Sequence, residues 1–190
     1  MVPESFVVMP EQLMKPGGMD MAEWREGAGR RALGWYVLAL AVVVLDHITK
    51  YLASISLNYG ELVALLPVLD LTLLHNSGAA FSFLSDAGGW QRWFFTIVAT
   101  VTSVWFALWL YRLPAGKHRL AAGLALILGG ALGNLIDRVL LGHVVDFIFF
   151  HWDDSYFPAF NVADSAITIG AILMVIDVLF FDEEDSDDAR

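Results

Sequence analysis

Four aspartates stand out in a chain that is otherwise strongly apolar: Asp46, Asp137, Asp146 and Asp164. Two carboxyl groups that are held close together and partly desolvated cannot both ionise easily, so they share one proton. One of them can then take a proton from water while the other donates a proton to a carbonyl oxygen. This is the general acid–base chemistry by which paired aspartates cleave amide bonds.

Basic neighbours divide these four aspartates into two groups. Asp46 precedes Lys50 by four residues, so the two side chains lie on one helix face, and Asp137 adjoins Arg138. A neighbouring cation lowers the pKa of a carboxyl group and makes it a poor base near neutral pH. We expect both ion pairs to support the structure. The other two aspartates have no basic neighbour in sequence, which makes them the better catalytic candidates.

Simpler structural roles are open at this stage. Asp164 could do no more than stabilise a helix terminus, because negative charge is favourable at the start of a helix. Asn134 and Asn161 could do no more than form hydrogen bonds between helices. Their spacing places Asn134 close to Asp137 and places Asn161 three residues before Asp164. The residues alone leave these alternatives open.

Other catalytic chemistries fit the sequence less well. His143 and Asp146 could bind a metal ion with His75 or His151, but the spacing is weak, and there is no H-E-x-x-H helix. A Ser77–His143 dyad could be drawn, but nothing in the sequence orients the pair, and G-x-S-x-G is absent. The lack of cysteine excludes disulfides, thiolate metal sites and a cysteine nucleophile.

The segments that carry these residues have the composition of a membrane protein. The chain of 190 residues is 57% hydrophobic and 17% charged, with a mean hydropathy of +0.61. Four segments approach the ~20 residues that cross a ~30 Å hydrocarbon core as a helix. They span residues 34–53, 93–111, 120–141 and 162–181. We expect helices because backbone polar groups cannot stay unpaired in lipid.

Basic residues in the flanks predict the orientation of these spans. They precede the first span and fill the connection between the second and third: Arg25, Arg30, Arg31, Arg112, Lys117 and Arg119. Both termini and this connection should therefore face the cytoplasm. The polar candidates then fall in the outer halves of the spans or in the outer loops. Asp177 is the exception, and we expect it to be a snorkelling or interfacial residue near the cytoplasmic boundary.

The first outer connection predicts a small sheet at the outer membrane surface. Residues 69–73 alternate with period two, as a half-buried strand does, and Asn76-Ser77-Gly78 is typical of a turn. Aromatic residues suited to the membrane interface flank these segments. They are Trp90, Trp93, Trp152, Tyr156 and Phe157.

The two ends of the chain differ from the apolar body. The net charge of -10 arises largely from an acidic cluster within residues 182–190, so it gives no argument for nucleic-acid binding. We expect residues 1–30 to be a mobile cytoplasmic leader and residues 182–190 a disordered cytoplasmic tail. Residues 31–181 then form one four-span domain.

Five stretches of the sequence together resemble signal peptidase II, the lipoprotein signal peptidase of bacterial inner membranes. They occur in the order and spacing of that family and cover roughly residues 34–181. The stretches are Asp46-His47-Ile48-Thr49-Lys50, His75-Asn76-Ser77-Gly78-Ala79-Ala80-Phe81-Ser82-Phe83, Gly129-Gly130-Ala131-Leu132-Gly133-Asn134-Leu135-Ile136-Asp137-Arg138, Gly142-His143-Val144-Val145-Asp146-Phe147 and Phe160-Asn161-Val162-Ala163-Asp164-Ser165.

The resemblance implies an all-α membrane protein of four transmembrane helices with a small extracytoplasmic β-cradle. The implied activity removes signal peptides from diacylglyceryl-modified prolipoproteins, just before the lipidated cysteine. The family's catalytic aspartates correspond to Asp146 and Asp164. The family needs no metal or other cofactor and is blocked by globomycin. The positions that shape or support its site correspond to Asp46, Lys50, Asn76, Gly78, Asn134, Asp137, Arg138 and Asn161.

Two functions of other classes stay open beside the peptidase. A non-catalytic membrane protein could bind lipoproteins or membrane lipids without cleaving them. An ion or proton pathway would need ionisable residues across the whole membrane depth, and the apolar inner halves of the spans argue against it.

Overall fold

The four predicted spans are helices in the computed structural model, which describes residues 21–78, 90–153 and 155–181. The helices are α1 (Met21–Ser56), α2 (Trp90–Arg112), α3 (His118–Leu140) and α4 (Val162–Phe180). Each contains a stretch long and apolar enough to cross a membrane. The predicted fold class is therefore confirmed.

The described residues include the last part of the expected leader and none of the expected tail. Residues 21–30 of the leader continue into α1, so the first helix begins well before the predicted span. Residues 1–20 of the leader and residues 182–190 of the tail lie outside the described residues. Their mobility and their side of the membrane stay predictions.

Helix α3 lies at the centre of the bundle. In its most apolar stretch 67% of the residues are buried, against 17% to 22% in the other three helices. Small residues let its neighbours approach closely. A Cβ on Gly130 would collide with the carbonyl oxygen of Ala163 in α4, and one on Gly129 would lie 2.6 Å from the carbonyl oxygen of Ala39 in α1.

A four-stranded antiparallel sheet is formed by the α1–α2 and α3–α4 connections. Its strands are β1 (Val63–Leu66), β2 (Leu69–Asn76), β3 (Val144–Trp152) and β4 (Ser155–Tyr156), and they are ordered β1-β2-β3-β4. The strand predicted at residues 69–73 is thus confirmed within β2. Because both connections leave the same end of the bundle, the sheet lies beside the end of α3 and the start of α4. The predicted interfacial aromatic side chains are all exposed.

Candidate active site

Asp146 lies in β3 and is 2% exposed. Its Oδ2 accepts a hydrogen bond from Asn76 Nδ2 over 3.0 Å, and its Oδ1 accepts one from Asn161 Nδ2 over 2.7 Å. Burial, together with the charge of Asp164, raises the pKa of Asp146 from 3.8 to about 6, although the two asparagines and Lys50 act in the opposite direction. The carboxyl group therefore changes its protonation state close to neutral pH.

The sheet register explains why Asn76 reaches this carboxyl group. Leu74 of β2 lies opposite Asp146, so Asn76, two residues further along, is its diagonal neighbour on the same face. The Gly78 backbone N–H donates to Asn76 Oδ1 over 2.9 Å, which turns the amide nitrogen of Asn76 toward Asp146. Gly78 has a φ of 115°, and a Cβ there would lie 2.5 Å from the Phe95 ring. Only glycine fits this turn without strain.

Asp164 occupies the third position of α4, and Asn161 is the N-cap. Asn161 Oδ1 accepts from the Asp164 backbone N–H over 2.9 Å, and Asp164 Oδ2 accepts from the Asn161 backbone N–H over 3.3 Å. This reciprocal arrangement is a capping box. The helix-terminus role considered for Asp164 is therefore present, but it uses only one carboxylate oxygen. The other oxygen, Oδ1, accepts from Asn134 Nδ2 over 2.7 Å.

Asn161 is fully buried and connects the two aspartates. Its Nδ2 donates to Asp146 while its Oδ1 caps the backbone N–H of Asp164. The same Nδ2 lies 3.3 Å from Asn134 Oδ1. The two asparagines do form hydrogen bonds between elements, as the simpler interpretation held. The groups that they contact, however, are the two candidate carboxyl groups.

Lys50 forms the centre of a second, ionic group beside the first. Its Nζ lies 2.7 Å from Asp46 Oδ2 and 2.8 Å from Asp137 Oδ2, and it donates to Asn134 Oδ1 over 2.9 Å. All four side chains are at least 95% buried. Asp46 Oδ1 also accepts from the Ala163 backbone N–H over 2.9 Å, so this group supports the first turn of α4.

Asp137 and Arg138 do not form the close ion pair that was predicted, although their charges interact electrostatically. Consecutive helix residues point about 100° apart, so Asp137 faces Lys50 in the bundle interior, whereas Arg138 turns toward α2. There its guanidinium lies 5.5 Å from the Phe95 ring centroid, and it donates to the Asn134 carbonyl oxygen over 3.2 Å. One lysine therefore serves both supporting carboxylates, and the supporting role of Asp46 and Asp137 stays a prediction.

Asp177 was predicted as a snorkelling or interfacial residue, and the snorkelling alternative is wrong. Its side chain does not snorkel; it is buried and lies 3.3 Å from Arg119 Nε, whose guanidinium stacks on Phe181. The partner is on another helix, which sequence spacing could not reveal. Asp177 lies near the end of α4 and Asp164 near its start, so this ion pair is remote from the candidate site.

Sequence reasoning overlooked two residues that contact the site's supports. Arg92 donates to the carbonyl oxygens of Arg138 and Val139, over 2.9 and 2.8 Å, and so stabilises the last turn of α3. The signal was its position as an isolated basic residue in an outer flank. His47 lies beside Asp46 and 3.7 Å from Asp137 Oδ1. Its position directly after Asp46 in the sequence was the signal for this contact.

The histidine alternatives find little geometric support. The His143 ring stacks on His75 with 4.0 Å between centroids, and the described residues contain no group of three or more potential metal ligands. Burial and the neighbouring His75 lower the pKa of His143 below its usual 6.5, so the ring is uncharged at neutral pH. Within the described residues, no hydrogen bond joins Ser77 to His143.

Comparison with known proteins identifies the family. The sequence matches the family described as Signal peptidase (SPase) II over residues 38–180. A lipoprotein signal peptidase of Acinetobacter baumannii is 57% identical over 150 residues, which cover 79% of this chain and 85% of the relative. One from Ectopseudomonas mendocina is 49% identical over 160 residues, which cover 83% and 95%. The chain belongs to the signal peptidase II family.

A solved bacterial membrane enzyme is similar in fold to this signal peptidase II. A bacterial membrane enzyme determined by the in meso method at 2.3 Å resolution aligns with a TM-score of 0.69 and 33% identity, covering 83% of this chain and 92% of that one. The chain is therefore a multi-pass membrane protein of a peptidase family that removes signal peptides from prolipoproteins. The non-catalytic alternative finds no support in these comparisons.

Proposed function

We propose that this signal peptidase II is an aspartic endopeptidase in which Asp146 and Asp164 form the catalytic pair. The observation that carries the proposal is the contact of Asn161 with both residues, over 2.7 Å to Asp146 and 2.9 Å to Asp164. Because both carboxyl groups are largely buried and interact electrostatically, they favour a state with one shared proton.

In this mechanism the ionised carboxylate of the pair takes a proton from a water molecule as that water attacks the scissile carbonyl carbon. The protonated carboxyl group donates its proton to the carbonyl oxygen, and a tetrahedral intermediate forms. The carboxyl group that took the proton from water then gives it to the amide nitrogen, and the other carboxylate takes a proton from a hydroxyl group of the intermediate. The C–N bond breaks, and the pair again holds one proton. Asn76, Asn134 and Asn161 hold the two carboxyl groups in place throughout, since their amide groups donate to carboxylate oxygens or cap the helix.

The substrate is a prolipoprotein that carries a diacylglyceryl group on its lipobox cysteine, and cleavage occurs just before that cysteine. The exposed apolar faces of α1 and α2 suit a substrate that arrives laterally with its acyl chains in the bilayer. We also propose that globomycin blocks the reaction. A matched precursor without the diacylglyceryl group should not be cleaved under the same conditions.

The test of the catalytic pair uses Asp146→Asn and Asp164→Asn. Both should lower cleavage of a lipidated precursor roughly 10²–10⁴-fold, the usual contribution of general acid–base catalysis. Asp70→Asn in β2 and Asp177→Asn in α4 are matched controls, because each is a buried aspartate that pairs with another partner, His151 or Arg119. The controls should retain most activity. Full activity of either catalytic-pair variant would refute the aspartic mechanism.

We further propose that the sheet and the catalytic pair face the periplasm of the bacterial inner membrane, with both termini in the cytoplasm. The natural chain has no cysteine, so single cysteines report their own side. Ser155 in the sheet and Ala115 in the α2–α3 connection are both exposed. A membrane-impermeant thiol reagent should label Ser155→Cys in intact spheroplasts and Ala115→Cys only after lysis. The opposite pattern would reverse the orientation.

A further inference from the structure

His47 faces the ionic group of Asp46, Lys50 and Asp137 at close range. Its Nε2 lies 3.7 Å from Asp137 Oδ1 and its Nδ1 lies 3.9 Å from Asp46 Oδ2. Part of the ring is exposed, but Nε2 is buried and has no hydrogen-bond partner among the described residues. A buried polar atom without a partner is costly, so this atom requires an explanation.

The hydrogen bonding of the ring restricts its protonation. Nδ1 lies 3.0 Å from the Val43 carbonyl oxygen, which can only accept, so the proton of a neutral ring belongs on Nδ1. Nε2 would then present a lone pair toward the Asp137 carboxylate, and two acceptors would face each other. Only the doubly protonated ring directs an N–H toward both neighbours.

The charges of the surrounding groups lead to the same result. Asp46 and Asp137 are two buried carboxylates that share one lysine, Lys50. Arg138 acts electrostatically on Asp137, but it acts on Asp146 and Asp164 as well. His143, beyond the end of α3, is uncharged at neutral pH and supplies no positive charge. Buried charges are stable only when they are nearly balanced, so a further cation beside Asp46 and Asp137 is stabilising.

We propose that His47 is this further cation and acts as a positioning residue for the catalytic pair. The charged imidazolium offsets the negative charge of Asp137. Lys50 therefore stays in contact with Asp46, Asp137 and Asn134 together. Lys50 and Asn134 in turn act on the two catalytic carboxyl groups. This role rests on the aspartic mechanism proposed above, but the charge of His47 itself does not.

The charge is therefore measured directly, without reference to catalysis. The full-length protein is labelled with ¹⁵N-histidine, and the His47 signals are assigned by their loss in His47→Gln. At pH 7 both ring nitrogens should show the shifts of protonated nitrogen. A spectrum of the neutral ring, with one nitrogen unprotonated at pH 7, overturns the proposal even if the catalytic pair is correct.

The positioning role is tested by pH profiles of kcat/KM for a lipidated precursor. Loss of a positive charge disfavours ionised carboxyl groups, so His47→Gln should move the acid limb of the profile to higher pH by about half a unit, or about threefold in rate on that limb. His47→Arg restores the charge and should return the limb to its natural position. His151→Gln, in a histidine paired with Asp70, is the matched control and should leave it unchanged.

Identical profiles for His47→Gln, His47→Arg and the natural enzyme overturn the positioning role. An equal shift of the acid limb in His47→Gln and His47→Arg also overturns the positioning role. Such a result would mean that the loss of the side chain matters and the loss of its charge does not. Failure of the aspartic mechanism gives a different result, since Asp146→Asn would then be active whatever the ¹⁵N spectrum shows.

Discussion

Asn161 Nδ2 lies 2.7 Å from Asp146 Oδ1, so the residue that begins α4 directly contacts a carboxyl group of β3. The contact joins a strand to a helix next to the backbone hydrogen bonds between Phe160 and Ile148 of β3. Since the same side chain caps α4, the position of the helix start and the position of the strand carboxyl group depend on each other.

Asn161 should therefore have separable effects on stability and activity. Asn161→Ala removes both the cap and the donor to Asp146, and it should lower the free energy of unfolding by about 1 kcal/mol or more and reduce activity strongly. Asn161→Ser keeps a capping oxygen but is too short to replace the amide donor. Thermal unfolding in detergent and precursor cleavage should show stability recovered in the serine variant and activity not. Recovery of both would contradict the bridging role.

The raised pKa of Asp146 predicts a pH-dependent difference in stability. A carboxyl group whose folded-state pKa is raised from 3.8 to about 6 stabilises the fold fully below about pH 4, and this contribution is lost as the pH rises through 6. Asp146→Asn has no such dependence. Its melting temperature relative to the natural protein should rise between pH 4.5 and pH 7.5, by an amount equivalent to about 2 kcal/mol. A constant difference in melting temperature between the two proteins across this pH range would mean that burial does not raise the pKa of Asp146.

Lys50 should be more important for stability than any exposed lysine. Lys50→Met leaves Asp46 and Asp137 buried without their shared cation, at a cost of roughly 3–5 kcal/mol. The triple variant that adds Asp46→Asn and Asp137→Asn removes the stranded charges and should recover much of the loss. Melting temperatures of the three proteins provide the comparison. Equal stability of the single and triple variants would show that the penalty is not electrostatic.

Gly130 should not tolerate even one added methyl group. A Cβ there would collide with the Ala163 carbonyl oxygen and lie 2.8 Å from Ile167 Cγ1, so α4 and Asp164 with it would be displaced. Gly130→Ala should lower the unfolding free energy by about 1–3 kcal/mol and reduce cleavage. Gly34→Ala in α1 is the matched control, because its Cβ meets nothing within 4 Å. It should be neutral or slightly stabilising. Equal tolerance of both changes would argue against close α3–α4 packing.

Much of the fold could be predicted because each span is a continuous apolar segment, and its helical structure follows from its own length and composition. The strand at residues 69–73 was also predictable, since its alternation is local. The full sheet was not, because β3 pairs with β2 across an intervening pair of helices, and neither strand encodes its partner.

The sequence by itself determined which residues could do chemistry, since an ionisable side chain in an apolar segment needs a partner or a function. Only the tertiary structure decided how they are paired. Lys50 pairs with Asp137, not only with Asp46, and Arg119 neutralises Asp177, because these partners meet across helices that pack face to face. Likewise Asn161 was predicted as a supporting residue, but its contact with both aspartates depends on how the first residues of β3 pack beside the start of α4. Sequence spacing specifies faces of one element, whereas packing specifies which faces meet.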